Sequence, residues 1–586
     1  MDEQQLFKLR HALAHVLAWA VTNLYPEAKL AIGPVVENGF YYDIDFGRTA
    51  VGDDDLPALE KEMRRLLKTK YNLTKASQTI DRALSKVAGN PYKEELIKEL
   101  AAAGESEVTF YQLGEFADLC KGPHLSDTSD IKAGCFKLQK VAGAYWRGDE
   151  HNKMLTRIYG LAFATAGDLA DYEEKMAEAA KRDHRLLGKE LDLFVFSEAV
   201  GKGLPMLTAK GAAIRRELER FIVDEEIKRG YQHVMTPDLA RLELYKKSGH
   251  YPYYQDSMYA PITIDEEEFM LRPMACPHHF EMYLSRPRSY RELPLRLAEL
   301  AKLYRYEQSG ELTGLIRARA FCLADSHIIC ADSTQAQSEV ANVLDLIDFV
   351  AQTFGLRLGD NYSYRLSLGD RGDSKKYFKN DAAWNEAEEV LRRVLQARQA
   401  SFSEAPGEAA FYGPKIDVQM KNVLGKEDTA FTVQYDFVMP ERFNLTYTDR
   451  DGQEKRAIVI HRSSVGALER VMAFLIEHYA GAFPLWLSPV QVKLLSVGEA
   501  HRAFTQTLAQ EFIGFGWRVE VDDSDETVGY KTRKALAEKT PYILVIGDKE
   551  VSGGKLSVRD RGQRETRSVG KEEFIREVSA RIKKRN

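Results

Sequence analysis

Two residue pairs at matching spacing carry the first chemical signal in this chain. His11 and His15 stand four residues apart, and so do Cys120 and His124. In a helix each pair would share one face. Imidazoles and a thiol so placed suit a metal site, or the buried face of an amphipathic helix. Cys276, His327 and His461 offer the same donor types but lie far apart, and spacing alone does not join them. A third set is made of arginines: Arg305 in YRYEQSG, Arg317 and Arg319 in LIRARAF, and Arg470 in ALERVMAF. The chain contains neither GxxxxGK[ST] nor a strand-anchored GxGxxG. A nucleotide bound here would therefore meet arginine forks, which grip phosphate oxygens in pairs and keep their charge, rather than a glycine cradle. Singly, each arginine also suits a surface ion pair.

Elements must hold these groups in place. Residues 5–24 predict a helix carrying His11 and His15, and 56–70 a second, amphipathic one. Segment 106–147 predicts strands and turns. Residues 167–190, GDLADYEEKMAEAAKRDHRLLGKE, predict one connecting helix with a solvated face. In GAAIRRELERFIVDEEIKRGY, Ile214, Leu218, Phe221 and Ile222 recur at helical spacing. LPLRLAELAKLYRYE, RAFCLADSHIIC and FTVQYDFVMP then read as strands with few strand-helix-strand repeats, so an antiparallel sheet flanked by helices is expected. The last 100 residues alternate strand and helix, predicting a small α/β domain with a largely parallel sheet. The expected domains are 1–166, 167–190 (linker helix), 191–486 and 487–586, an α+β and α/β multidomain chain.

Composition agrees with several cores. The chain has 586 residues, 44% hydrophobic and 29% charged, enough for three or four domains. Lys plus Arg is 82 against Asp plus Glu at 88, so a nucleic acid would have to bind local basic patches. Five cysteines without a disulfide spacing predict a reducing compartment. The N-terminus lacks a signal-peptide pattern, and no stretch approaches a membrane span. A cytoplasmic location is expected.

In the strand-loop-strand unit RLAELAKLYRYEQSGELTGLIRARAF, Arg305 and Glu307 open the loop and Arg317 closes it; Gly466 and Arg470 enter a helix, and a further helix leads to Pro237. These resemble the three signature motifs of class II aminoacyl-tRNA synthetases. RHALAHVLA, ADLCKGPHL, GAYWRGD, KRDHRLLGKELDLF, LRPMACPHHF, ADSHIIC, FYGPKID, VQYDF and VIHRSSVGALERV resemble the bacterial threonyl-tRNA synthetase family over nearly the whole chain, without the small N-terminal ubiquitin-like domain common there. The resemblance implies an antiparallel class II catalytic domain, an α+β editing domain before it and an anticodon-binding domain after it. It implies Zn²⁺ on Cys276, His327 and His461, with one face open to the threonine amine and hydroxyl, and Mg²⁺ carried with ATP. Arg305 and Glu307 would attend the α-phosphate and adenylate, Arg317 and Arg470 the outer phosphates, and Phe321 the adenine. Asp325 would receive the hydroxyl; Tyr412, Lys415 and Gln434 match other pocket positions. His11, His15, Lys93, Asp118, Cys120 and His124 match the site that hydrolyses mischarged seryl-tRNA. Lys531, Arg533, Glu550 and Arg559 match anticodon-reading positions. The implied partners are tRNA(Thr), ATP, L-threonine and a second copy of the chain. Departures fall at Ala275, Leu323, Asp428–Thr429 and Asp525, where the family usually has Asn, Gln, Trp–Gln and Asn. They leave open a diverged paralogue with altered amino-acid or inhibitor specificity; a non-catalytic tRNA-binding regulator is the other alternative.

Overall fold

The computed structural model describes residues 1–132, 134–422 and 425–585. By contact density the chain divides into Met1–Ala177 and Glu178–Asn586; the division falls inside the helix Ala166–Arg182.

In the first unit the helix Glu3–Leu24 starts at Asp2, whose side chain accepts from the Gln5 N–H, a standard way to satisfy a free helix-end donor. Leu9, Leu13, Val16, Leu17 and Val21 bury its inner side, and His15 goes in with them. Its core partners include Phe40, Tyr42 and Ile44 of the strand Gly39–Asp45. That strand pairs antiparallel with Met154–Ala162, which pairs in turn with Phe136–Tyr145. A second antiparallel sheet joins Leu73–Thr79, Glu107–Leu113 and Phe116–Leu119.

The second unit is built on an eight-stranded sheet. Its strands run in the order Gln232–His233, Leu295–Tyr304, Ala320–Cys330, Ile458–Ala467, Glu427–Asp436, Lys415–Lys421, Tyr362–Leu368, Phe402–Pro406. The two outermost pairings are parallel and the others antiparallel. One large core packs the helices Ala209–Lys228, Ser333–Thr353 and Leu468–His478 against it.

The C-terminal sheet has the order Val519–Asp522, Val492–Ser496, Tyr542–Ile546, Lys555–Asp560, Arg567–Gly570. The first three strands are parallel and the last two antiparallel, so the sheet is mixed rather than largely parallel. The connection 547–554 is too short for the crossover a parallel partner needs. The expected linker helix is also two helices, Ala166–Arg182 and His184–Glu190. Asp183 breaks it by turning its carboxylate onto the Arg185 N–H as a new N-cap.

Candidate functional site

Register assembles the central site. In the strand Ala320–Cys330, Asp325 and His327 share a face because alternate residues do. His327 lies directly opposite His461 on the next strand. His461 faces Gln434, and Gln434 faces Lys415. Cys276, first residue of the helix Cys276–Leu284, brings its sulfur to the two imidazoles, and one donor atom from each lies within 4.8 Å of the others. Burial raises the Cys276 thiol and depresses His327, whose charge is also opposed by His461.

Groups behind the two imidazoles select their tautomers. His461 Nε2–H donates to Asp436 Oδ2 at 2.7 Å, leaving Nδ1 a lone pair. Asp436 is itself fixed by the N–H groups of Val438 and Met439. His279 Nε2–H donates to Glu299 at 3.1 Å, so its Nδ1 accepts from His327 Nδ1–H at 2.8 Å and His327 Nε2 keeps a lone pair. Burial alone would raise the Glu299 carboxyl; hydrogen bonds from His279 and Thr236 and the charge of Arg272 hold it at about 2. A thiol and two oriented imidazole lone pairs, three donors in all, fit zinc with a coordination position left open.

These groups share a cavity of about 270 Å³ with Arg305, Glu307, Arg317, Phe321, Asp325, Tyr412, Gln434 and Arg470. The Arg305 guanidinium lies 5.2 Å from the Phe321 ring centre. Burial lowers the pKa of Arg305 and of Arg470, a sign of cationic charge held where an anion would relieve it. Arg470 donates to the carbonyls of Ile316 (3.0 Å) and Thr429 (2.8 Å). Tyr412 donates its hydroxyl to Gln434. Lys415 does not line this cavity; it pairs with Asp417 at 2.6 Å. Ala275 and Leu323 pack together with Ala301, Leu303 and Phe321, so two of the departures form one apolar wall.

The first unit holds a second cluster. His11, His15, Cys120 and His124 each bring a donor atom within 4.8 Å of the rest. The first pair is helical as expected. The second is not, because Cys120–His124 follows the strand Phe116–Leu119 as an irregular segment through Gly122 (φ +77°) and Pro123. Cys120 Sγ nevertheless lies 3.3 Å from His11 Nε2 and 3.1 Å from His124 Nε2. Burial pushes His15 down to about 4 and His124 to about 2, and the Cys120 thiol up to about 11. At neutral pH the cluster is three uncharged imidazoles and a thiol. Beside it Lys93 and Asp118 form a buried ion pair at 2.6 Å. Tyr42, which sequence reasoning missed, donates to Asp118 and accepts from Lys93 at 3.3 Å.

Three domain families match the chain: the tRNA synthetase class II core domain (G, H, P, S and T) over 259–479, an anticodon binding domain over 491–581, and the threonyl and alanyl tRNA synthetase second additional domain over 108–159. A threonine–tRNA ligase of Halalkalibacterium halodurans is 47% identical over all of this chain and 90% of its own length. One from an Exiguobacterium species is 49% identical over the same shares. The chain belongs to the threonine–tRNA ligase family. Among solved structures, the RNA binding domain of threonyl-tRNA synthetase from Cryptosporidium parvum is similar with TM-score 0.64 and 35% identity, covering 68% of this chain and 98% of that one. A putative threonyl-tRNA synthetase from Aeropyrum pernix gives 0.60 and 29%, over 69% and 96%.

The family's anticodon-binding domain places its four candidate residues unequally. Lys531 is buried, its ammonium donating to the carbonyls of Ser496 (2.9 Å) and Asp522 (3.3 Å). Glu550 accepts from the Gly547 N–H and the Ser557 hydroxyl. Arg533 is exposed, and Arg559 is half-buried, donating to the Arg564 carbonyl. Sequence reasoning also missed Asp436, Glu299 and His279, although all three stand inside stretches that it used, VQYDF, LPLRLAELAKLYRYE and LRPMACPHHF. It missed His250 as well, buried with Nδ1 on the Ser248 hydroxyl (2.7 Å), in a pocket shared with Arg305 and Glu307.

Proposed function

We propose that this chain is a threonine–tRNA ligase. It joins L-threonine to ATP as threonyl-adenylate with release of pyrophosphate, then passes the threonyl group to the terminal ribose of tRNA(Thr). The observation that carries this reading is the open Cys276–His327–His461 cluster in one cavity with Arg305, Arg317 and Arg470. Cys276, His327 and His461 would hold zinc, which when bound would offer a coordination face that an amine and a neighbouring hydroxyl could share. Asp325 stands beside it to accept the hydroxyl proton, and Tyr412 and Gln434 border the same space. Arg305 holds the amino-acid carboxylate against the α-phosphate, with Glu307 close to the adenylate. Arg317 and Arg470 neutralise the outer phosphates of ATP, carried with Mg²⁺, as pyrophosphate leaves. Phe321 stacks on the adenine. Lys415 acts from one strand further over, held by Asp417.

Valine, isosteric with threonine, would be separated only about 100-fold by an apolar pocket; demanding a hydroxyl removes it. Serine keeps both groups, and its missing methyl is worth only about 1–3 kcal/mol. The first unit answers that weakness by hydrolysing seryl-tRNA. His11, His15, Cys120 and His124 bind and orient the ester and its attacking water, with Lys93 and Asp118 supplying and removing charge. In the C-terminal domain Arg533, on the helix Val528–Ala537, and Arg559, on the strand Lys555–Asp560, contact the anticodon, while Lys531 and Glu550 fix the backbone beside them. The active form is a cytoplasmic homodimer. Among the described residues no helix is long and apolar enough to cross a membrane.

Amino-acid-dependent ATP–pyrophosphate exchange tests the reading. Threonine should support it strongly, serine weakly and valine hardly at all, and Cys276→Ser should lose zinc and exchange together. Exchange that ignores threonine, or full exchange in a metal-free Cys276→Ser protein, would sink it.

A further inference from the structure

The break in the connecting helix leaves one group unused by the site described so far. His184, first residue of the helix His184–Glu190, is 1% exposed. Its Nδ1 lies 2.7 Å from Glu477 Oε1, on the helix Leu468–His478. Its Nε2 lies 3.2 Å from the backbone nitrogen of Leu315. An amide N–H only donates and a carboxylate only accepts. The imidazole is therefore the neutral tautomer, donating from Nδ1 to Glu477 and accepting at Nε2 from Leu315. Asp183 completes a potential metal-binding trio with these two residues, but its carboxylate is engaged by Arg185 and both His184 nitrogens are spent. The trio is a hydrogen-bonded strap.

What it straps is the arginine loop. Leu315 gives its N–H to His184, and the next residue, Ile316, gives its carbonyl to Arg470 at 3.0 Å. Arg470 and Glu477 lie seven residues apart on one helix and so share a face. Two peptide groups of the loop, 314–315 and 316–317, are thus fixed to two points of the same helix, and Arg317 follows immediately. Gly314 has φ +50°, and a Cβ there would collide with the His184 ring. The loop backbone lies directly on the imidazole, and only glycine permits the approach.

We propose that His184, braced by Glu477, is a positioning residue that sets Arg317 against Arg470 for the outer phosphates of ATP. It reaches the nucleotide only through the 314–317 backbone. The proposal rests on the ligase reading above and adds to it a residue far from the three signature motifs.

The test is threonine-dependent pyrophosphate exchange by the full chain, with each preparation normalised by active-site titration of adenylate and checked by thermal melting. Losing one hydrogen bond of this kind should raise the ATP KM of His184→Ala about tenfold, with the threonine KM within about twofold of the unsubstituted protein's. His184→Gln, whose amide oxygen can accept from Leu315, should recover most of that loss. Gly314→Ala should raise the ATP KM alone, and less than additively when combined with His184→Ala. A merely structural role would lower the active fraction and melting temperature and leave the ATP KM unmoved. An unchanged ATP KM in titrated His184→Ala, or ATP and threonine KM rising together, overturns the proposal. If His184→Ala fails to fold, His184→Gln and Gly314→Ala carry the test, and an unchanged ATP KM in Gly314→Ala overturns it. A chain that shows no threonine-dependent exchange before substitution refutes the ligase reading instead.

Discussion

At the residue scale the two clusters share donor types but differ in what surrounds them. Cys276, His327 and His461 are backed by acceptors that assign each imidazole a tautomer. Removing such a partner commonly costs about 10–100-fold in metal affinity. Asp436→Asn should weaken zinc retention by that order in a chelator competition while leaving Cys276 in place. The His11–His15–Cys120–His124 cluster instead has His15 and His124 buried with Nδ1 unpartnered among the described residues. His15 is held at about 4 against an ordinary 6.5. Between those values the unfolded chain binds the extra proton, so stability rises with pH there and is complete above about 6.5. His15 by itself should cost the first unit on the order of 3 kcal/mol as pH falls from 6.5 through 4, and His124 adds to the loss. His15→Asn should flatten that slope, as followed by thermal melting across the range. A slope unchanged by the substitution would place the titration elsewhere.

At the element scale, strand register does the work that sequence spacing could not. His327 opposite His461, and His461 opposite Gln434, follow from one set of pairings. Because strand faces alternate, a one-residue slip would turn His327 away from the cavity. The turn from Ile458–Ala467 into the next helix is equally constrained. Gly466 has φ +73°, and a Cβ there would strike the Ala430 carbonyl. Gly466→Ala should cost more than about 1 kcal/mol of stability and, by shifting Arg470, raise the ATP KM. Melting temperature and exchange kinetics measured together would reveal it; a variant normal in both would show that the turn relaxes freely. The helix Glu3–Leu24, the sheet strands and the C-terminal alternation were legible from hydrophobic period. The break at Asp183 was not, because the run around it keeps a helical pattern and only a side-chain cap ends the first helix.

At the scale of the whole molecule, two units carry separate chemistries. Met1–Ala177 holds the His–Cys cluster with Lys93 and Asp118, and Glu178–Asn586 holds the arginine cavity and the C-terminal domain. A chain starting at Glu178 should retain threonine-dependent pyrophosphate exchange and accumulate seryl-tRNA, as His11→Ala with His124→Ala should in the full chain. Deacylation of seryl-tRNA by either variant would mean that the first unit is not the hydrolytic one. The sequence by itself determined the chemical inventory and the family, because motifs such as VIHRSSVGALERV and ADLCKGPHL are local strings that need no folding to be read. The resemblance had already grouped Cys276 with His327 and His461; only tertiary structure showed how they are held. It set Asp436 and His279 behind the two imidazoles, and turned Lys531 and Glu550 inward while Arg533 stayed outside. It also laid the 314–317 backbone on His184. The reason is physical: a side chain's type sets what it can bind, but burial and register, which are collective, set what it can reach.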